Sequence, residues 1–207
     1  IIPSKIFTES IKERWIQIKE IEQNLGNIAS FILNVINSKY FAASKKFQSL
    51  EYKRHKDFIE WEPSVGKYKL TKLFKKYNVT NKFKLKKFVR QIQGTCNHLI
   101  HAYTGMRLSE VLSLKINCLR KLDDENKVRI IGTTTKFESG KKSVEWVTTY
   151  EIEKVINILD KISEVLSTKI YFPKRMIDIF SFQQQTYHQQ FQKKQKLYQL
   201  RTKVMNV

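Results

Sequence analysis

Acidic residues are scarce in this chain of 207 residues: 19 Asp and Glu stand against 39 Lys and Arg, a formal charge of +20. That shortage excludes a self-neutralised surface and implies a polyanionic partner, nucleic acid first among them. A basic proteome with many solvated lysines is the plain alternative, and the lysine-over-arginine bias fits it in part. Cysteine is nearly absent. Cys96 and Cys118 lack metal-ligand spacing, and two thiols make no disulfide framework, so they read as reduced, buried thiols of a cytosolic protein. Long apolar runs are missing too: none approaches the ~20 residues a transmembrane helix needs, and no leader segment is legible. The chain opens on Ile1 rather than methionine and is read as a piece of a longer polypeptide. No internal repeat is visible. What is present, 41% hydrophobic and 12% aromatic residues, suffices for one sizeable domain, with or without an arm.

Apolar residues Ile6, Phe7, Ile11, Trp15, Ile18, Ile21 and Leu25 recur at helical spacing, and Gly26 is a plausible stop. Ile28, Phe31, Ile32, Val35, Ile36 and Tyr40 then predict a second helix, the two forming a pair. Residues 45–90 hold 15 basic residues against four acidic ones, with Phe58, Trp61, Tyr68, Phe74, Tyr77, Phe83 and Phe88 interleaved. Lysines there suit phosphate neutralisation while the rings anchor the segment to its own core; an ordinary solvated helix face is the competing reading. Pro63-Ser64-Val65-Gly66 reads as a turn.

Residues 82–103 predict a helix with Phe88, Ile92, Cys96, Leu99, Ile100 and Tyr103 on one face, broken by Thr104-Gly105. A following helix, 107–116, would bury Leu108, Val111, Leu112 and Leu114. Residues 127–148 read as a β-hairpin whose turn is Glu138-Ser139-Gly140-Lys141-Lys142. Thr148-x-x-Glu151 has a capping-box pattern and would open a helix through Leu166. Its inward residues are Ile152, Val155, Ile156, Leu159, Ile162, Val165 and Leu166. The tail, 181–207, is rich in Gln and Lys without one acidic residue. The chain is thus expected to be mainly α with a small antiparallel β-hairpin or sheet. A helical region with the basic segment spans 1–80, and a second region spans 81–207.

The chemistry centres on Tyr103-Thr104-Gly105-Met106-Arg107-Leu108-Ser109-Glu110-Val111. A guanidinium is planar, permanently charged and able to form paired hydrogen bonds to phosphate oxygens. Gly105 permits a tight turn just before it, and a helix start favours an anion. Lys136 follows on the hairpin strand Gly132-Thr133-Thr134-Thr135-Lys136-Phe137, where an ammonium can reach into a groove and have its pKa lowered by neighbouring cations. Transesterification of a DNA strand needs such cations on the non-bridging oxygens and an acid for the leaving 5′ oxygen. Lys84, Lys86, Lys87, Arg90, Lys141 and Lys142 are the candidate backbone contacts.

Over residues 95–166 the pattern resembles the tyrosine recombinase (phage integrase) family. Thr104 to Val111 match its Thr-Gly-hydrophobic-Arg-hydrophobic-Ser-Glu-hydrophobic run, and Thr135-Lys136 before Gly140-Lys141 matches its hairpin lysine. The resemblance implies a recombinase catalytic-domain fold over 81–207. It assigns catalytic roles to Arg107 and Lys136, with Gly105 and Glu110 supporting the arginine. It implies double-stranded DNA as partner, a homo-tetramer on paired sites, a covalent 3′-phosphotyrosyl intermediate without metal or nucleotide cofactor, and a nucleoid-associated place in a prokaryotic cytoplasm.

The departures are as specific. The family requires a His-x-x-Arg box, yet His188 is followed three residues on by Phe191, and His55, His98 and His101 all precede Arg107. Tyr171, Tyr187 and Tyr198 are available phenols, but none lies downstream of such a box, so the nucleophile is unassigned. The chain reads as a recombinase catalytic domain incomplete at its C-terminal end. A non-catalytic DNA-binding module of the same fold is the alternative. A helical RNA- or ribosome-associated protein, with the Arg107 match accidental, is a third reading.

Overall fold

The computed structural model describes residues 4–43, 55–121, 127–134 and 142–167. Its elements run α1 (Ser4–Asn37), α2 (Trp61–Lys67), α3 (Thr71–Lys76), α4 (Lys82–Thr104), α5 (Leu108–Leu112), β1 (Leu119–Lys121), β2 (Lys127–Thr134), β3 (Lys142–Thr149) and α6 (Ile152–Ser167). The fold is mainly helical with one small antiparallel sheet of order β1-β2-β3 among the described residues, as the sequence predicts. No helix among them is long and apolar enough to cross a membrane.

α1 is one helix of 34 residues, not a pair. Gly26 does not stop it, because the apolar period continues from Ile18 and Ile21 to Ile28, Phe31 and Ile32, all buried. An interior glycine costs about 1 kcal/mol, which packing on both sides of it outweighs. The first turns overshoot their partners: Ile6 and Phe7, expected inside, are exposed. Pro63 likewise belongs to a helix rather than a turn. It lies in the first turn of α2, where a missing N–H breaks no helical bond, and Ser64 Oγ donates to the Glu60 carbonyl at 2.6 Å.

The aromatic residues of the basic segment fill the core. Phe31 receives Phe41, Trp61, Tyr68 and Phe74 edge-on, with ring centroids 5.3–5.7 Å away. That is the preferred geometry of ring quadrupoles. Only Phe83 among the seven rings singled out there is strongly exposed. One continuous hydrophobic core contains Ile18 and Ile28 of α1, Ile92 and Leu99 of α4, Ile130 of β2 and Ile156 and Ile162 of α6. Cys96 and Cys118 are free and buried. Burial, with the Asp160 charge, pushes the Cys118 thiol up to about 11.

β2 pairs with β3 throughout, from Lys127 opposite Thr149 to Thr134 opposite Lys142. The hairpin is therefore as predicted, with its turn outside the described residues. β1, three residues long, was not legible in the sequence. α6 keeps the predicted period, and Ile152, Val155, Ile156, Ile162 and Val165 are buried. The expected capping box is not what starts it. Thr148 belongs to β3 and its Oγ1 donates to the Tyr103 carbonyl at 3.3 Å, while Glu151 is bonded by the Thr149 side chain. Thr148 is drawn into the sheet–α4 contact instead.

Candidate functional site

Helix α4 ends on Gly105, whose φ of 67° is left-handed backbone that an L side chain adopts at a cost. Its N–H donates to the His101 carbonyl at 3.0 Å. Thr104 Oγ1 donates to the Ile100 carbonyl at 2.6 Å and accepts the Met106 N–H at 3.2 Å. The Met106 side chain is fully buried and anchors the turn. Its carbonyl accepts from His101 Nδ1. A carbonyl can only accept, so the contact is a hydrogen bond in the ring tautomer with its proton on Nδ1.

Arg107 follows with extended backbone and opens α5. That helix is five residues long rather than the ten expected, so its dipole adds little. With a single turn, only one side can face the core. Glu110 and Val111 take it, and Leu108 is left 46% exposed. Glu110 is 7% exposed. Its Oε2 accepts the Arg107 N–H at 2.7 Å and its Oε1 accepts the Thr134 hydroxyl at 2.6 Å. One buried carboxylate therefore holds both the arginine turn and the end of β2, across 24 residues of sequence. Charge-assisted bonds of this kind are the short, strong ones.

Gly132 completes the junction. A Cβ there would stand 3.0 Å from Leu114 Cδ2 and 3.1 Å from Trp146. Its bare backbone lets the segment after α5 and the β3 tryptophan close over β2. Sequence reasoning reached Gly105, Arg107 and Glu110, which act locally. It missed Thr134 and Gly132, and only the interrupted β-pattern at Gly132 could have signalled a close approach.

The Arg107 side chain is exposed. The described Lys and Arg ion pairs use Lys76, Lys121, Arg129, Lys154 and Lys161, and leave Arg107 out. A guanidinium that makes no ion pair among the described residues, on a backbone fixed by a buried carboxylate, is suited to an external oxyanion. Lys86, Lys87 and Arg90 are exposed on the first half of α4, Lys87 lying over the Phe83 ring at 5.0 Å. Lys84 is half-buried, and its ammonium donates to Asn78 Oδ1 at 3.1 Å. Arg90 and the Gly105 turn lie on one rigid helix, about 22 Å apart along its axis. That is less than one ~34 Å turn of duplex. Lys142 is exposed at the start of β3, opposite Thr134. Lys136, Lys141, Tyr171, Tyr187, His188 and Tyr198 lie outside the described residues. Among the described residues no three His, Cys, Asp or Glu side chains gather as a metal site. No protein-family model, no curated protein and no solved structure matches the chain.

Proposed function

We propose that this chain is the DNA-gripping part of a tyrosine-recombinase-type enzyme. Arg107 takes the non-bridging oxygens of the scissile phosphate, where negative charge grows in the transition state. Lys136 protonates the leaving 5′ oxygen. Lys86, Lys87 and Arg90 hold the duplex backbone at the far end of α4. In the intact enzyme a tyrosine would form the 3′-phosphotyrosyl bond, within a tetramer on paired sites, with no metal or nucleotide cofactor.

The observation that carries this reading is the pair of hydrogen bonds that Glu110 accepts, one from the Arg107 N–H and one from the Thr134 hydroxyl. It ties the phosphate-binding turn to the strand whose sequence runs on, two residues later, to Lys136. Orientation to within a fraction of an ångström is what positions a phosphate for in-line attack, and a buried clamp provides it. The second reading is a non-catalytic DNA-binding module. It is favoured by the sequence of the chain, which has no His-x-x-Arg box.

A strand-cleavage assay of the intact enzyme on its cognate duplex tests both. Lys136→Ala is expected to slow cleavage about 10²-fold or more while duplex binding, read by fluorescence anisotropy, changes less than about twofold. Normal cleavage with weakened binding would contradict the acid role. Tight, salt-sensitive binding with no cleavage by the wild-type enzyme would establish the module reading.

A further inference from the structure

The two faces of the small sheet are unlike. Val128 and Ile130 of β2 and Thr148 of β3 are buried, and Trp146 packs against the core. The Tyr103 carbonyl, Glu110 and Leu114 meet that side at Thr148, Thr134 and Gly132. Side chains alternate along a strand. Arg120 of β1, Lys127 and Arg129 of β2, and Glu145 and Val147 of β3 therefore point the other way, and all five are exposed.

The register sets Arg120 directly opposite Arg129. Opposed residues of an antiparallel pair hold their Cβ atoms about 5 Å apart on one face, and like charges placed there repel. Arg129 Nη1 donates to Glu145 Oε2 at 2.9 Å. Arg120 takes no part in the described ion pairs. Glu145 is the one acidic residue at the outward positions of the described strands, against Arg120, Lys127 and Arg129. Drift toward solvated lysine does not account for the pair, since the chain holds 31 Lys and 8 Arg and yet sets two arginines side by side here. A guanidinium offers phosphate oxygens a rigid fork where an ammonium offers a point charge. Two forks on neighbouring strands can close on the oxygens of one phosphate, which replaces their repulsion with two attractions. An exposed strand face suits a ligand that lies along a surface rather than a small molecule that needs enclosure. Thr134, tied through Glu110 to the Arg107 turn, lies five residues along β2 from Arg129, about 17 Å away. This contact is thus separate from the one at Arg107.

We propose that the outward face of the sheet is a second, sequence-independent contact for the backbone of duplex DNA, in which Arg120 and Arg129 together hold one phosphate. The duplex as the source of that phosphate rests on the proposed function. The anion-binding face itself rests on the strand register.

The test is fluorescence anisotropy of the full chain with a labelled duplex of arbitrary sequence, over about 50–200 mM salt, beside a labelled oligo-glutamate peptide. Arg120→Gln is expected to weaken duplex binding about threefold to tenfold and to lower the salt slope by about one. Its thermal midpoint should hold or rise, because the variant removes a like-charge pair. Glu145→Gln should tighten duplex binding about twofold, because it releases Arg129. Arg107→Ala should leave the effect of Arg120→Gln in place. A chain that binds in this way but cleaves no DNA would keep the face while the recombinase reading fell. Tighter binding of the peptide than of the duplex, with the same dependence on Arg120, would overturn the duplex as the ligand. A loss of binding matched by a lowered midpoint would make the arginine pair structural and overturn the site. Duplex binding unchanged in both the Arg120 and the Glu145 variants would overturn it as well.

Discussion

The two ends of α4 use charge in opposite ways. Its first half displays Lys86, Lys87 and Arg90 to solvent, with no carboxylate among their described contacts. Its last turn runs into a network in which a single buried carboxylate, Glu110, fixes an arginine backbone and a strand. Exposed cations contribute almost nothing to folding, since solvent and salt screen them. What exposed cations can supply is attraction at a distance, and that tolerates imprecise placement. The Glu110 clamp contributes stability and geometry together. It fixes the Arg107 backbone, while the exposed guanidinium makes no ion pair among the described residues. A polyanion would be drawn by one end and registered by the other.

Three variants would break or sharpen this contrast. Glu110→Ala should cost the most, about 3 kcal/mol in a denaturant titration, because it removes at once the carboxylate that the part-buried Arg107 N–H and the buried Thr134 hydroxyl share. A loss under about 1 kcal/mol would mean that the clamp does not hold the junction. Gly132→Val should follow at about 2 kcal/mol, since its Cβ would crowd Leu114 and Trp146. Loss of tryptophan near-ultraviolet circular dichroism would report that displacement. Replacing Lys86, Lys87 and Arg90 together with Gln should change stability by less than about 0.5 kcal/mol. The same variant should lower the salt slope of duplex binding by two to three. An unchanged slope would remove these residues from the interface.

Much of the fold was legible because it rests on local periodicity. The inward faces of α4 and α6, the hairpin and the left-handed stop at Gly105 are all set by residues within a turn or two of one another. The misreadings share a cause. Gly26, Pro63 and Thr148 each carry a strong local signal that tertiary packing overrides: a continuous apolar stripe, a permissive first turn and a contact with Tyr103. In the candidate site, Arg107, Gly105 and Glu110 lie within five residues and could be read together. Thr134 depends on a partner 24 residues away, which no periodicity encodes. Leu108 was misplaced because a one-turn helix has too few positions to show a face.

The undivided length of α1 also has a consequence in time. Its stripe of Ile18, Ile21, Ile28, Phe31 and Ile32 is covered in part by α6, whose last residue is Ser167. On a ribosome adding 5–20 residues per second, that cover arrives roughly 6–26 s after α1 is complete. Throughout that interval the part of the stripe that α6 covers stays open on the nascent chain, an apolar surface of the type that chaperones bind and that aggregates when crowded.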